Sequence, residues 1–128
     1  MNLLLDTHAL IWFLAGKDRL SRLARDAIAD DGSLVFVSAV SAMEVTTKFR
    51  IGKLPEAQLL ASDFENQVEL RGFRKLPITV AHAQLAGSLP IPHKDPFDRL
   101  LIAQAQLERA TLVSNEALFD MFGVRRLW

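Results

Sequence analysis

Asn2-Leu3-Leu4-Leu5-Asp6-Thr7-His8-Ala9-Leu10 is the stretch that decides the fold. Three consecutive leucines ending at a carboxylate show no polar alternation, which is the pattern of a strand buried on both faces, as in a parallel sheet. From Thr7 onward the spacing changes. Leu10, Phe13 and Leu14 recur at helical intervals until Gly16, so a helix follows the strand directly. Further along, Leu20, Leu23, Ala24, Ala27 and Ile28 repeat the helical period before Asp30-Asp31-Gly32, and Leu34-Val35-Phe36-Val37 reads as a second buried strand. The pattern then predicts a helix over 40–49, an amphipathic helix over 55–70, a short strand over 76–78 and a helix over 80–86. After a proline-rich loop at 90–94 come a helix over 96–108, a strand over 111–114, a short helix over 117–122 and a last strand over 124–127. Strands alternating with helices predict an α/β fold in a single domain spanning residues 1–128. Its form is a three-layer α/β/α sandwich with a central parallel sheet of about five strands and helices on both faces, because right-handed crossovers put them there.

Composition narrows the chemistry. Of 128 residues 50% are apolar and 23% charged, the balance of a folded globular domain. Fifteen basic residues offset fifteen acidic ones, so contact with a nucleic acid has to come from a local patch rather than from net charge. The absence of cysteine excludes disulfides, zinc-thiolate sites, iron–sulfur clusters and thiol nucleophiles, and it fits a cytoplasmic protein. The run Leu3 to Leu5 lacks a basic leader and meets Asp6 at once, so neither a signal peptide nor a membrane span is expected. Trp12 and Trp128 are expected in the core, and a zinc site built from His8, His82 and His93 is not expected, since they share no ligand spacing.

Ligands of parallel α/β sheets sit beyond the carboxyl ends of the strands. Four acids are expected at such junctions: Asp6, Glu44, Asp98 and Glu116. Each has a plain structural reading beside the functional one. Asp6 can cap the helix that follows it. Glu44 can pair with Lys48 one turn on, and Ser41-Ala42-Met43-Glu44 matches a capping box, although apolar neighbours place this acid near the core. In Asp95-Pro96-Phe97-Asp98, Asp95 with Pro96 marks a helix start, and Asp98 shares the face of Ile102 and Ala105 that packs on the sheet. An inward carboxylate is costly unless a cation or hydrogen-bond donors meet it. Four such acids together call for Mg2+ or Mn2+, and a site of that kind suits attack of water on a phosphodiester. Thr7 and Ser114 are placed to support the acids. Lys48, Arg50 and Arg99 are candidate phosphate contacts. No glycine-rich phosphate loop and no serine–histidine arrangement competes.

The order Leu-Leu-Leu-Asp6-Thr7-His8-Ala9-Leu10, Ser38-Ala39-Val40-Ser41 leading to Glu44, Asp95-Pro96-Phe97-Asp98-Arg99-Leu100-Leu101-Ile102-Ala103-Gln104-Ala105 and Leu112-Val113-Ser114-Asn115-Glu116 resembles the PIN domain, and within it the VapC-type toxin ribonucleases. The resemblance runs over essentially the whole chain. It implies a Mg2+- or Mn2+-dependent endoribonuclease, a homodimer, an RNA substrate and neutralisation by a small VapB-like antitoxin. Asp6, Glu44 and Asp98 match the family's three central acids, and Ser114 stands near its hydroxyl position. Glu116 stands where the family more often has aspartate, which favours contact with metal through water. Asp95 is an additional acid of this branch and is expected as a cap. A PIN nuclease of housekeeping RNA processing and a PIN module with a degenerate site are the alternatives. A receiver-like signalling module would need a paired acid beside Asp6 and a lysine after a late strand, and neither is present.

Overall fold

The computed structural model describes all 128 residues. It is built around a five-stranded, wholly parallel sheet in the order β3-β2-β1-β4-β5, with β1 at Asn2–Leu5, β2 at Leu34–Ser38, β3 at Arg74–Leu76, β4 at Thr111–Val113 and β5 at Arg126–Leu127. Strand β1 is central, and its three leucines are fully buried. Leu3 and Leu5 face one hydrophobic cluster with Val35, Val37 and Val113, whereas Leu4 faces another with Leu112, Leu101 and Ile102. Burial on both faces is therefore the cause of the continuous apolar run, each leucine contributing about 1.5–3 kcal/mol relative to exposure.

Helices α1 (Thr7–Ala15) and α2 (Arg22–Ala29), together with α4 (Gln58–Ser62) and α5 (Phe64–Leu70), supply the first cluster. Helix α7 (Pro96–Leu107) and the 3-10 segment Ala117–Phe122 supply the second, and α6 (Val80–Ser88) packs on α7. Helix α3 (Ala39–Arg50) straddles the two, with Val40 in one cluster and Val45 in the other. The three-layer parallel architecture is as the sequence predicts. No helix is long and apolar enough to cross a membrane.

Three element assignments need correction. The helix expected over 55–70 is broken in two at Asp63, whose backbone leaves helical geometry with φ −144°. Its carboxylate instead accepts from the side chains of Asn66 and Gln67. The strand expected over 76–78 lies at Arg74–Leu76, because Pro77 has no N–H to continue the ladder with β2. The last strand begins later than expected, at Arg126, because the preceding 3-10 segment runs to Phe122 and turns through Gly123 in the left-handed region (φ 71°) before the chain reaches β4.

The strand order reverses at β1, which has β2 on one side and β4 on the other. Crevices of parallel sheets open at such switch points, beyond the carboxyl ends. Asp6 and Ser114 follow the two strands that flank this one.

Candidate active site

Asp6 caps α1. One carboxylate oxygen accepts from the His8 backbone N–H at 3.1 Å, and the other accepts from the Ser114 hydroxyl at 2.6 Å. The Asp6 backbone N–H in turn donates to Val113 O, locking β1 to β4 at the switch point. The carboxylate is only 7% exposed, and burial pushes its pKa up against the opposing pull of Ser114 and His8, with Glu44 adding to the rise. Capping and ligation are compatible roles for this residue, because each oxygen accepts one hydrogen bond and retains a second lone pair.

Glu44 lies in the second turn of α3 and is buried. Its Oε1 accepts from Thr7 Oγ1 at 2.5 Å, and Thr7 also stands 3.0 Å from Ser41 Oγ. Thr7 and Ser41 are both fully buried, so a row of hydroxyls links the start of α1 to α3. The cap of α3 is Ser38, which accepts from Val40 N–H, and the capping box expected at Ser41 does not form. The other oxygen of Glu44 pairs with Lys48. Burial alone would lower the Lys48 pKa, yet Glu44, Asp95 and Asp98 raise it overall, so this ammonium sits in the field of three acids.

Asp95 caps α7, accepting from Phe97 and Asp98 N–H with Pro96 at the first helical position. Asp98 thus falls in the first turn of α7, where its Oδ2 lies 2.7 Å from His93 Nε2. Burial, with Asp95, Glu116 and Asp6 nearby, raises the Asp98 pKa to about 6 although the His93 contact opposes it. The His93 ring packs against Phe122, with centroids 5.6 Å apart and planes tilted by 33°. Glu116 is exposed, and its backbone N–H donates to Ser114 Oγ.

The expectation that all four acids end strands is therefore corrected. Asp6 and Glu116 follow strands, but Glu44 and Asp98 come from helices, and α7 is preceded by α6. The helix starts point at the same edge of the sheet. His93 is the neighbour that spacing did not disclose. A contact five residues apart across a proline-rich loop has no periodic signature.

The three expected phosphate contacts differ in their surroundings. Arg50 is exposed at the end of α3 and has no ion pair, while Lys48 is turned inward to Glu44. The placement of Arg99 departs most from a surface phosphate contact. Its guanidinium donates to the carbonyls of Ala86, Gly87, Leu89, Ile91 and His93, which leaves no N–H for an outside anion. One side chain gathers the loop that carries His93. Arg99→Lys should accordingly destabilise the chain by about 2–4 kcal/mol in urea unfolding, because a single ammonium cannot satisfy a planar fan of five acceptors. A midpoint unchanged from the parent chain would contradict this role.

The donor set fits a hard divalent cation. The side chains gathered at the crevice offer carboxylate and hydroxyl oxygen, Asp6 and Asp98 are held up in pKa by burial, and a cation, Lys48, already stands among the acids. As arranged, no three Asp, Glu or His side chains converge into a ligand shell, since Glu44 is turned to Thr7 and Lys48 and Asp98 to His93.

A family model described as PIN domain matches residues 3–123. Among solved structures the fold is similar to VapBC2 from Rickettsia felis bound to a DNA fragment from its promoter, with TM-score 0.68, 14% identity and coverage of 99% of this chain and 98% of that one. It is also similar to a toxin–antitoxin complex from Klebsiella pneumoniae, with TM-score 0.67, 22% identity and coverage of 98% and 96%. FitAcB from Neisseria gonorrhoeae follows with TM-score 0.64, 17% identity and coverage of 98% and 96%. No match is found among curated protein sequences.

Proposed function

This chain belongs to the PIN-domain family, and from that premise we propose that it is a divalent-metal-dependent endoribonuclease, the toxin of a VapBC-type toxin–antitoxin pair. PIN domains are nucleases as a family, and structural neighbours of this chain are toxin–antitoxin complexes. The observation that carries the reading is the placement of Asp6 and Ser114 at the switch point of the sheet, with Glu44 and Asp98 brought to the same edge by α3 and α7. Asp6, Glu44 and Asp98 would hold Mg2+ or Mn2+, with Glu116, exposed on the rim, reaching it through water. When bound, such an ion supplies a polarised water and neutralises charge on a phosphodiester.

The chain's own residues prepare that site. Ser114 and Thr7 each donate to an acid, fixing one oxygen of Asp6 and one of Glu44, and the Ser114 bond opposes the rise in pKa that burial gives Asp6. His93 orients Asp98, and Arg99 fixes the loop bearing His93. Lys48 balances charge between Glu44 and the α7 acids, and it would turn outward toward a backbone phosphate as the cation enters. A homodimer neutralised by a small antitoxin in the cytoplasm completes the proposal.

The test is cleavage. Purified chain should cut RNA in Mg2+ or Mn2+ and stop in EDTA, and mapping new RNA 5′ ends after induction in cells should show enrichment at one site in one RNA class. Intact RNA in both metals, at protein concentrations that bind it, would refute the nuclease. Cleavage without growth arrest would instead favour a housekeeping PIN nuclease.

A further inference from the structure

The two tryptophans are not core residues in the sense expected for them. Both remain partly exposed, packed on the rim of the first hydrophobic cluster and against each other, with ring centroids 5.8 Å apart and planes at 64°. Trp128 follows β5, so it stands at the carboxyl edge of the sheet, the edge that carries the acids. His8, two residues from Asp6, lies 5.5 Å from Trp12 in centroid distance and four residues before it, on the same face of α1. A continuous line of rings therefore runs from Asp6 along α1, about 9 Å at 1.5 Å per residue.

At its far end Trp12 borders a depression of about 350 Å3 shared with Ile11, Ala15, Lys17, Arg19 and Glu56. The Arg19 guanidinium lies over the Trp12 ring, 6.0 Å from its centroid. Neither Arg19 nor Lys17 has an acidic partner within ion-pair distance, although Glu56 lines the same depression. Elsewhere the basic side chains nearest the acids are spent on Glu44 and on loop carbonyls. Aromatic faces beside unpaired cations are the two components of a single-strand nucleic-acid groove. A chain with zero net charge needs such a patch somewhere.

We infer that His8, Trp12 and Trp128 form a base-stacking platform for single-stranded RNA flanking the cleaved bond, with Arg19 and Lys17 binding its phosphates. The inference rests on the ribonuclease reading and names how the substrate strand is held. A base entering over Trp12 replaces the guanidinium there, which moves to the neighbouring phosphate.

The chain has tryptophan only at 12 and 128 and no tyrosine, so its intrinsic emission reports directly on this platform. The Asp98→Asn chain, used so that RNA is not consumed, should lose tryptophan emission when titrated with short single-stranded RNA and not with duplex RNA of the same length. Trp12→Leu should raise the dissociation constant about tenfold, with Trp12→Phe retaining most of the affinity. Arg19→Gln and Lys17→Gln should each lower the slope of log affinity against log salt by about 0.7. If Trp12→Leu does not fold, the two surface substitutions decide. Unchanged emission together with unchanged salt slopes overturns the platform. Cleavage by the parent chain in that case leaves the nuclease standing without this platform. Quenching without any cleavage by the parent chain keeps the platform and removes the nuclease.

Discussion

Asp98→Asn should lower RNA cleavage by at least about 100-fold and abolish growth inhibition, with the fold retained and the metal-free melting temperature at or above that of the parent chain. The substitution is nearly isosteric, and the neighbours of residue 98 allow it. His93 Nε2 can keep a hydrogen bond to the amide, and the backbone N–H of residue 98 still donates to Asp95. What disappears is the negative charge that a cation needs, at a carboxylate whose pKa of about 6 already marks how poorly the site tolerates that charge without one. Loss of a mere orienting partner of a metal ligand costs 10–100-fold, so loss of the ligand itself should cost at least as much. Growth arrest and RNA cleavage at parental levels, at matched expression, would remove Asp98 from the active site and with it the reading of the whole acid cluster.

The parts of this site that were legible in the sequence are those whose signals are local. Leu3-Leu4-Leu5 before Asp6 announces a central strand with an acid at its end, because burial on two faces leaves no room for polar alternation. Asp95-Pro96 announces the start of α7, since a capping acid and a proline fit only that end of a helix. Glu44 was ambiguous because its two readings coexist. The Lys48 pair is real, and the same carboxylate is buried against Thr7 from another element. The role of Arg99 was hidden for a different reason. Its partners are five backbone carbonyls, and carbonyls carry no residue identity. Trp12 and Trp128 illustrate the same limit, as their contact joins the first helix to the last strand and no spacing records it.

The second large effect expected is a reversal of stability order. In EDTA at neutral pH, Asp6→Asn should melt at or above the parent chain. Asp6 is 7% exposed, burial raises its pKa, and Glu44 raises it further, so the ionised form is held in the fold at a cost that an amide avoids. The cap survives, since asparagine accepts from the His8 N–H about as well as aspartate, and Ser114 Oγ can accept from the amide NH2. Addition of Mg2+ or Mn2+ should invert the order. The parent chain gains RT ln(1 + [L]/Kd), about 2.7 kcal/mol at one hundred times Kd, which is on the order of 10 °C in melting temperature for a chain of this size. The variant gains little. Acid should act in the same direction as the amide. A carboxyl whose folded pKa lies above its unfolded value binds a proton more tightly when folded, so the metal-free parent should gain stability as pH falls through about 6, where Asp98 protonates, and the raised pKa of Asp6 acts in the same direction. In saturating metal the same fall in pH should cost stability, because ligands must be ionised to bind. Opposite slopes with and without metal require carboxylates that share one cation. If Asp6→Asn is destabilised by about 1 kcal/mol under both conditions, Asp6 is a helix cap and nothing more.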